Sequence, residues 1–149
     1  MHEIKQKWDK YTEGPFGIII YLFLGFVIAY GANFALGVIL NTGTPVVAVF
    51  SDSMDPTFYK GDMIIVYGEE NIKVGDIVVF DSPDRKYPII HRVIEIKNGG
   101  VITKGDNNSV SDEGRWGVIP YGNIYGKAIL KIPLFGWVKI LFVELTGIG

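Results

Sequence analysis

Residues 16–40, FGIIIYLFLGFVIAYGANFALGVIL, run for 25 positions without a charge, and Asn33 is their only strongly polar side chain. A helix of that length rises roughly 37 Å, enough to cross a bilayer with some tilt. A core helix is rarely apolar around its whole circumference for so long. The run therefore predicts a transmembrane anchor over residues 16–41, preceded by a short segment, 1–15. A cleaved signal sequence is the rival reading. Its apolar region would be about half as long and would end in small residues, whereas Asn41-Thr42-Gly43-Thr44-Pro45 stops this helix with turn formers. The mean hydropathy of +0.27 agrees with a membrane segment.

Basic residues set the orientation. Lys5, Lys7 and Lys10 precede the apolar run, and only Lys60 falls in the first twenty residues after it. The positive-inside rule then puts the N-terminus in the cytoplasm and the rest of the chain on the extracytoplasmic side. Glu3, Asp9 and Glu13 among the lysines count for little in that rule. A net charge of −2 carries no electrostatic footprint for nucleic acid. The absence of cysteine removes disulfides, thiol nucleophiles and thiolate metal sites. His2, at the terminus, reads as a solvated bystander.

From Pro45 the pattern changes. Short β-branched runs at 45–50, 63–67, 76–80, 87–96, 100–104 and 123–132 alternate with turn signals such as Gly61-Asp62, Gly75-Asp76, Ser82-Pro83-Asp84 and Asn98-Gly99. Asn-Gly between two strands is a type I′ hairpin signal. Residues 45–132 therefore read as a mainly β, compact barrel-like domain. Residues 133–149 are apolar again but interrupted by Lys139 and Glu144. Three readings suit them: a membrane-surface segment inserting Phe135, Trp137 and Phe142, a terminal helix packed on the sheet, or a truncated second span.

Three segments of the β domain could carry chemistry. Phe50-Ser51-Asp52-Ser53-Met54-Asp55-Pro56 follows a strand, where Ser and Asp also serve as ordinary turn formers. His91 lies in an apolar strand, and alternation puts it on one face with Ile89, Val93 and Glu95. A lone strand histidine is commonly structural, yet it is the only imidazole in the domain, so a serine nucleophile needing one has no other choice. Gly105-Asp106-Asn107-Asn108-Ser109-Val110-Ser111-Asp112 reads as a solvated loop, a poor calcium loop lacking the EF-hand spacing, or the source of an acid that orients the histidine. Asn107-Asn108-Ser109 is also a formal glycosylation sequon. A Ser…His…Asp order is unlike the familiar triads, but a triad is defined by geometry.

Taken together, these segments resemble the signal peptidase I family in its archaeal and endoplasmic-reticulum branch. SDSMDPTFYKGD at 51–62 is similar to the nucleophile box, IIHRVIEI at 89–96 to the base box with His-Arg in place of the bacterial lysine, and TKGDNNSVSD at 103–112 to the aspartate box. GDIVVF at 75–80 and IYGKAILKIPLFGW at 124–137 resemble further shared strands. The resemblance implies Ser53 as nucleophile, His91 as base, Asp112 as the triad acid, Asp106 in support, and the Ser51 hydroxyl with the Ser53 backbone N–H as the oxyanion hole. It leaves open which of Asp106 and Asp112 touches His91. It implies secretory preproteins as substrates, the lipid bilayer as surroundings, and no metal or cofactor; accessory subunits are left undefined. One position departs from the pattern: Asp52 stands where the family has Gly. The competing readings are a Ser/Lys self-cleaving peptidase using Lys86 or Lys104, and a non-catalytic membrane-tethered β-domain that binds extended peptides.

Overall fold

The structure, a computed structural model, describes residues 14–147. Residues 1–13, with His2 and the lysines at 5, 7 and 10, and residues 148–149 lie outside the described residues. The chain divides into two compact units, one reaching to Leu36 and one starting at Gly37.

Helix α1, Gly14–Ile39, spans 26 residues, or roughly 39 Å of rise. It carries no acid in its first turn and no base in its last, and large apolar side chains are exposed on every side of it. Among the described residues it is the one helix long and apolar enough to cross a membrane. It stops where Asn41 takes a left-handed conformation at φ 51°, one of the few non-glycine types that does so readily. The Thr42 N–H then closes onto the Gly37 carbonyl at 3.0 Å.

The β unit is one curled, seven-stranded antiparallel sheet, a half-barrel. Its strands are β1 (Val46–Ala48), β2 (Met63–Tyr67), β3 (Ile77–Phe80), β4 (Ile89–Lys97), β5 (Gly100–Lys104), β6 (Ile119–Pro120) and β7 (Ile124–Ile132). The spatial order is β1-β2-β7-β3-β4-β5-β6, so the last strand enters between β2 and β3 and joins the two ends of the domain. Alternation along β3 sends Val78 and Phe80 to one face and Val79 to the other. Val79 packs with Val47, Met54, Ile64 and Ile90, while Val78 and Phe80 pack with Ile72, Val93 and Val101. Each such side chain contributes about 1.5–3 kcal/mol when fully buried.

His91 sits opposite Val78 and so on the Val78/Phe80 face, next to Ile89 and Val93. Glu95 does not join them. A bulge between Val93 and Glu95 inserts one extra residue, so that Val93 faces Thr103 but Glu95 faces Ile102. The side-chain phase therefore flips, and Glu95 is exposed. The β4–β5 hairpin also differs from the type I′ expectation. Gly99 has φ 85° but Asn98 does not have positive φ, and type I′ needs both.

Two short helices complete the unit. Helix α2, Glu113–Trp116, is a single turn after the aspartate box. Helix α3, Gly136–Thr146, packs on β1 and buries Ile140 and Val143. Its other face leaves Val138, Leu141, Phe142 and Leu145 exposed.

Candidate active site

Residues 51–59 form a series of tight turns leaving β1, and Met54 is the peg that seats them. Its side chain is 1% exposed within the Val47/Ile64/Val79 cluster, and Phe58 is buried beside it. Ser53, one residue earlier, is thereby held at the rim of a cleft of about 640 Å³. Phe50 and Tyr87, stacked at 4.9 Å, form part of the wall.

His91 lines the same cleft, 5% exposed. Its Nε2 lies 3.1 Å from Ser53 Oγ and its Nδ1 lies 2.6 Å from Asp112 Oδ2. With the carboxylate as acceptor, Nδ1 carries the proton, and Nε2 turns its lone pair toward the serine hydroxyl. Ser51 Oγ is 3.2 Å from Ser53 Oγ. Asp112 is itself buried and fixed: the Thr103 hydroxyl donates to its Oδ2 at 2.6 Å, and its backbone N–H donates to the Thr103 carbonyl.

Asp106 has a different neighbourhood. It accepts two hydrogen bonds from Arg92, at 2.8 and 2.6 Å, and one from the Thr57 hydroxyl at 2.5 Å. The Arg92 guanidinium holds its carboxyl below the usual aspartate range, and the same pairing raises Arg92. Of the two acids, it is Asp112 that hydrogen-bonds His91. Asp106 ties the aspartate loop to β4 and to the turn after Ser53. Both carboxylates of this loop are thus committed to protein partners, which leaves the calcium reading without support.

The loop also grips the Ser53 turn directly. The Asn107 backbone N–H donates to the Ser53 carbonyl at 2.9 Å, and its side-chain amide donates to the Asp52 carbonyl at 3.0 Å. Gly105 makes that approach possible, since a Cβ there would lie 2.6 Å from the Ser53 carbonyl oxygen. A glycan on Asn107 would replace one hydrogen of the same amide that donates to the Asp52 carbonyl. Asp52 is exposed and does not have positive φ, so this turn does not require glycine. Of the rival bases, Lys86 lies over the Tyr87 ring, and Lys104 stands opposite Arg92 on the sheet face away from His91.

Residues 30–114 match the family model described as Peptidase S24-like. The signal peptidase complex catalytic subunit SEC11 of Scheffersomyces stipitis is 36% identical over 120 residues, covering 74% of this chain and 72% of its own. The subunit of the same name from Debaryomyces hansenii is 34% identical over 127 residues, 78% and 76% of the two chains. The SEC11C subunit of Canis lupus familiaris is 38% identical over 120 residues, 70% of this chain and 62% of its own.

This chain belongs to the Peptidase S24-like family. Within it, the likeness to the SEC11 subunits makes it a serine peptidase of the signal peptidase I type, in the endoplasmic-reticulum and archaeal branch. The matched stretch of this S24-like peptidase contains Ser53, His91, Asp106 and Asp112. Sequence reasoning assigned no part to Thr103, Asn107, Arg92 or Thr57. Thr103 left a trace, as the one hydroxyl in the apolar run GVIT. The pairing of Arg92 with Asp106 left none, because it depends on how the loop folds back onto β4.

Proposed function

We propose that this protein is a membrane-anchored endopeptidase that removes N-terminal signal peptides from secretory preproteins through a Ser53–His91–Asp112 acyl-enzyme mechanism. The observation that carries the reading is the relay through one buried imidazole, with Ser53 Oγ at 3.1 Å on one nitrogen and Asp112 Oδ2 at 2.6 Å on the other. A serine hydroxyl is a poor nucleophile until a base takes its proton. His91 takes it as Oγ attacks the scissile carbonyl, then donates it to the leaving amine. Asp112 keeps the imidazole in the tautomer that the attack needs and stabilises the imidazolium. The Ser51 hydroxyl and the Ser53 N–H receive the oxyanion. Water, activated by His91, then releases the acyl group.

Helix α1 is the single membrane pass, with the N-terminus cytoplasmic and the β unit outside, where an emerging signal peptide is at high effective concentration. The relatives are named as catalytic subunits of a signal peptidase complex, so accessory subunits are proposed as partners as well. The test is cleavage of a purified preprotein. Ser53→Ala and His91→Ala should each lower kcat/KM by ~10⁴-fold or more, with unchanged circular dichroism. A Ser53→Ala protein that cuts at the wild-type rate overturns the assignment.

A further inference from the structure

One carboxylate ties the β3–β4 loop to the helix that follows Asp112. Asp84 Oδ2 accepts from Arg115 Nε at 2.8 Å and Nη2 at 2.5 Å, and its Oδ1 accepts from the Trp116 indole N–H at 2.7 Å. The Arg115 guanidinium also lies over the Trp116 ring, 5.1 Å from its centre. All three residues line the cleft that holds Ser53 and His91.

As a surface ion pair this contributes little, because both partners are about half exposed and screened by water. Its consequence lies in what it positions. The Trp116 ring centre is 6.3 Å from that of His91 and 5.8 Å from that of Phe80, within the range of aromatic contact. Helix α2 has no buried residue of its own. Its N–H groups at Arg115 and Trp116 both bond to the Asp112 carbonyl, at 3.0 and 2.8 Å. The helix is therefore held at its start by the Asp112 carbonyl and the Glu113–Lys97 ion pair, and at its end by Asp84 through Arg115 and Trp116, whose ring also packs on the Phe80 cluster. A shift of this turn moves both the aromatic neighbour of the imidazole and the backbone of its acid.

We infer that Asp84 is a positioning residue of the catalytic site, acting through Trp116 to hold the His91 ring and through helix α2 to hold Asp112. This rests on the proposed role of His91. Arg115 beside Asp84 holds that carboxyl below the usual aspartate range, so the clasp persists well into mildly acid solution.

Two readouts on the full-length protein in detergent test it. The first is preprotein cleavage. Asp84→Ala should lower kcat by ~10- to ~100-fold, the scale of a small misplacement of catalytic groups, with KM changed less than kcat. Asp84→Asn, which retains an acceptor for the indole, should recover part of the loss. Glu113→Gln removes the other ion pair of this helix, with Lys97, and should leave kcat unchanged. The second is the imidazole NMR signal of His91 in a Ser53→Ala background, which needs no turnover. Asp84→Ala and Trp116→Leu should both displace it, the first by shifting the neighbouring ring and the second by removing it, and Glu113→Gln should not. A His91 signal and a kcat both unmoved in Asp84→Ala overturn the inference. Absence of cleavage by the wild type would instead count against the proposed function, and a His91 signal unmoved by Asp84→Ala would then overturn the positioning role on its own.

Discussion

Asp52 occupies the position between the two serines where the resemblance to signal peptidase I leads one to expect glycine, and its surroundings explain how it is accommodated. The turn asks nothing of Asp52 but its carbonyl, which accepts from the Asn107 amide and from the Asp55 N–H. Its φ is not positive and its side chain is exposed. A carboxylate aimed at the developing oxyanion would oppose it, since that site requires donors. An exposed carboxylate, screened by water, has a weak effect. Asp52→Gly should therefore leave kcat/KM within about threefold of wild type, a change below ~1 kcal/mol. A gain near ~10²-fold would mean that the charge faces the oxyanion hole. A large loss would mean that Asp52 has a positive role in the turn. Steady-state cleavage of one preprotein by both forms separates the three outcomes.

At the level of elements, the site is where three segments distant in sequence are fastened together, and Asp106 is a fastener with no hydrogen bond to His91 or Ser53. It joins the aspartate loop to β4 through Arg92 and to the nucleophile turn through Thr57. Arg92 holds its folded-state pKa below the unfolded value. The resulting stability is thus fully present above the ordinary aspartate range near pH 4, and is lost as the pH falls through the lowered folded value. Asp106→Asn should cost on the order of 1–2 kcal/mol at pH 7. In urea titrations the gap to wild type should shrink toward pH 3; a gap that stays constant would mean that the Asp106 charge contributes nothing. Much at this scale was legible in sequence. The strands at 63–67 and 100–104 were marked by β-branched runs between turn residues, and both begin and end where those runs do. The bulge after Val93, the two-residue β6 and the single turn of α2 were not, because each is set by pairing with a distant partner. Thr103 shows the same limit within the site. Its hydroxyl matters because β5 registers Thr103 against Val93, close to His91, and no local pattern encodes that register.

For the whole molecule, the two apolar clusters of the β unit are drawn from residues 47–128. In the proposed function, helix α1 acts by setting the side of the membrane on which the β unit lies. Its length and lack of charge made it readable from composition alone, but its proposed direction rests on three lysines and the positive-inside rule. The absence of cysteine makes that direction directly measurable. A single cysteine introduced as Lys73→Cys, at an exposed position in the loop between β2 and β3, should react with a membrane-impermeant thiol reagent in intact cells. In a host whose secretory membrane is the cell membrane, labelling only after lysis would place the β unit in the cytoplasm, where it could not meet a translocated signal peptide. The same reporter tests the cause. Replacing Lys5, Lys7 and Lys10 with glutamine leaves Lys60 as the main basic residue near either end of the span. The orienting bias then vanishes or reverses, and a fraction of the molecules should become protected from the reagent. If labelling stays complete in that variant, the lysines do not orient the chain, and the orientation must be set by folding of the β unit on the far side or by a partner subunit.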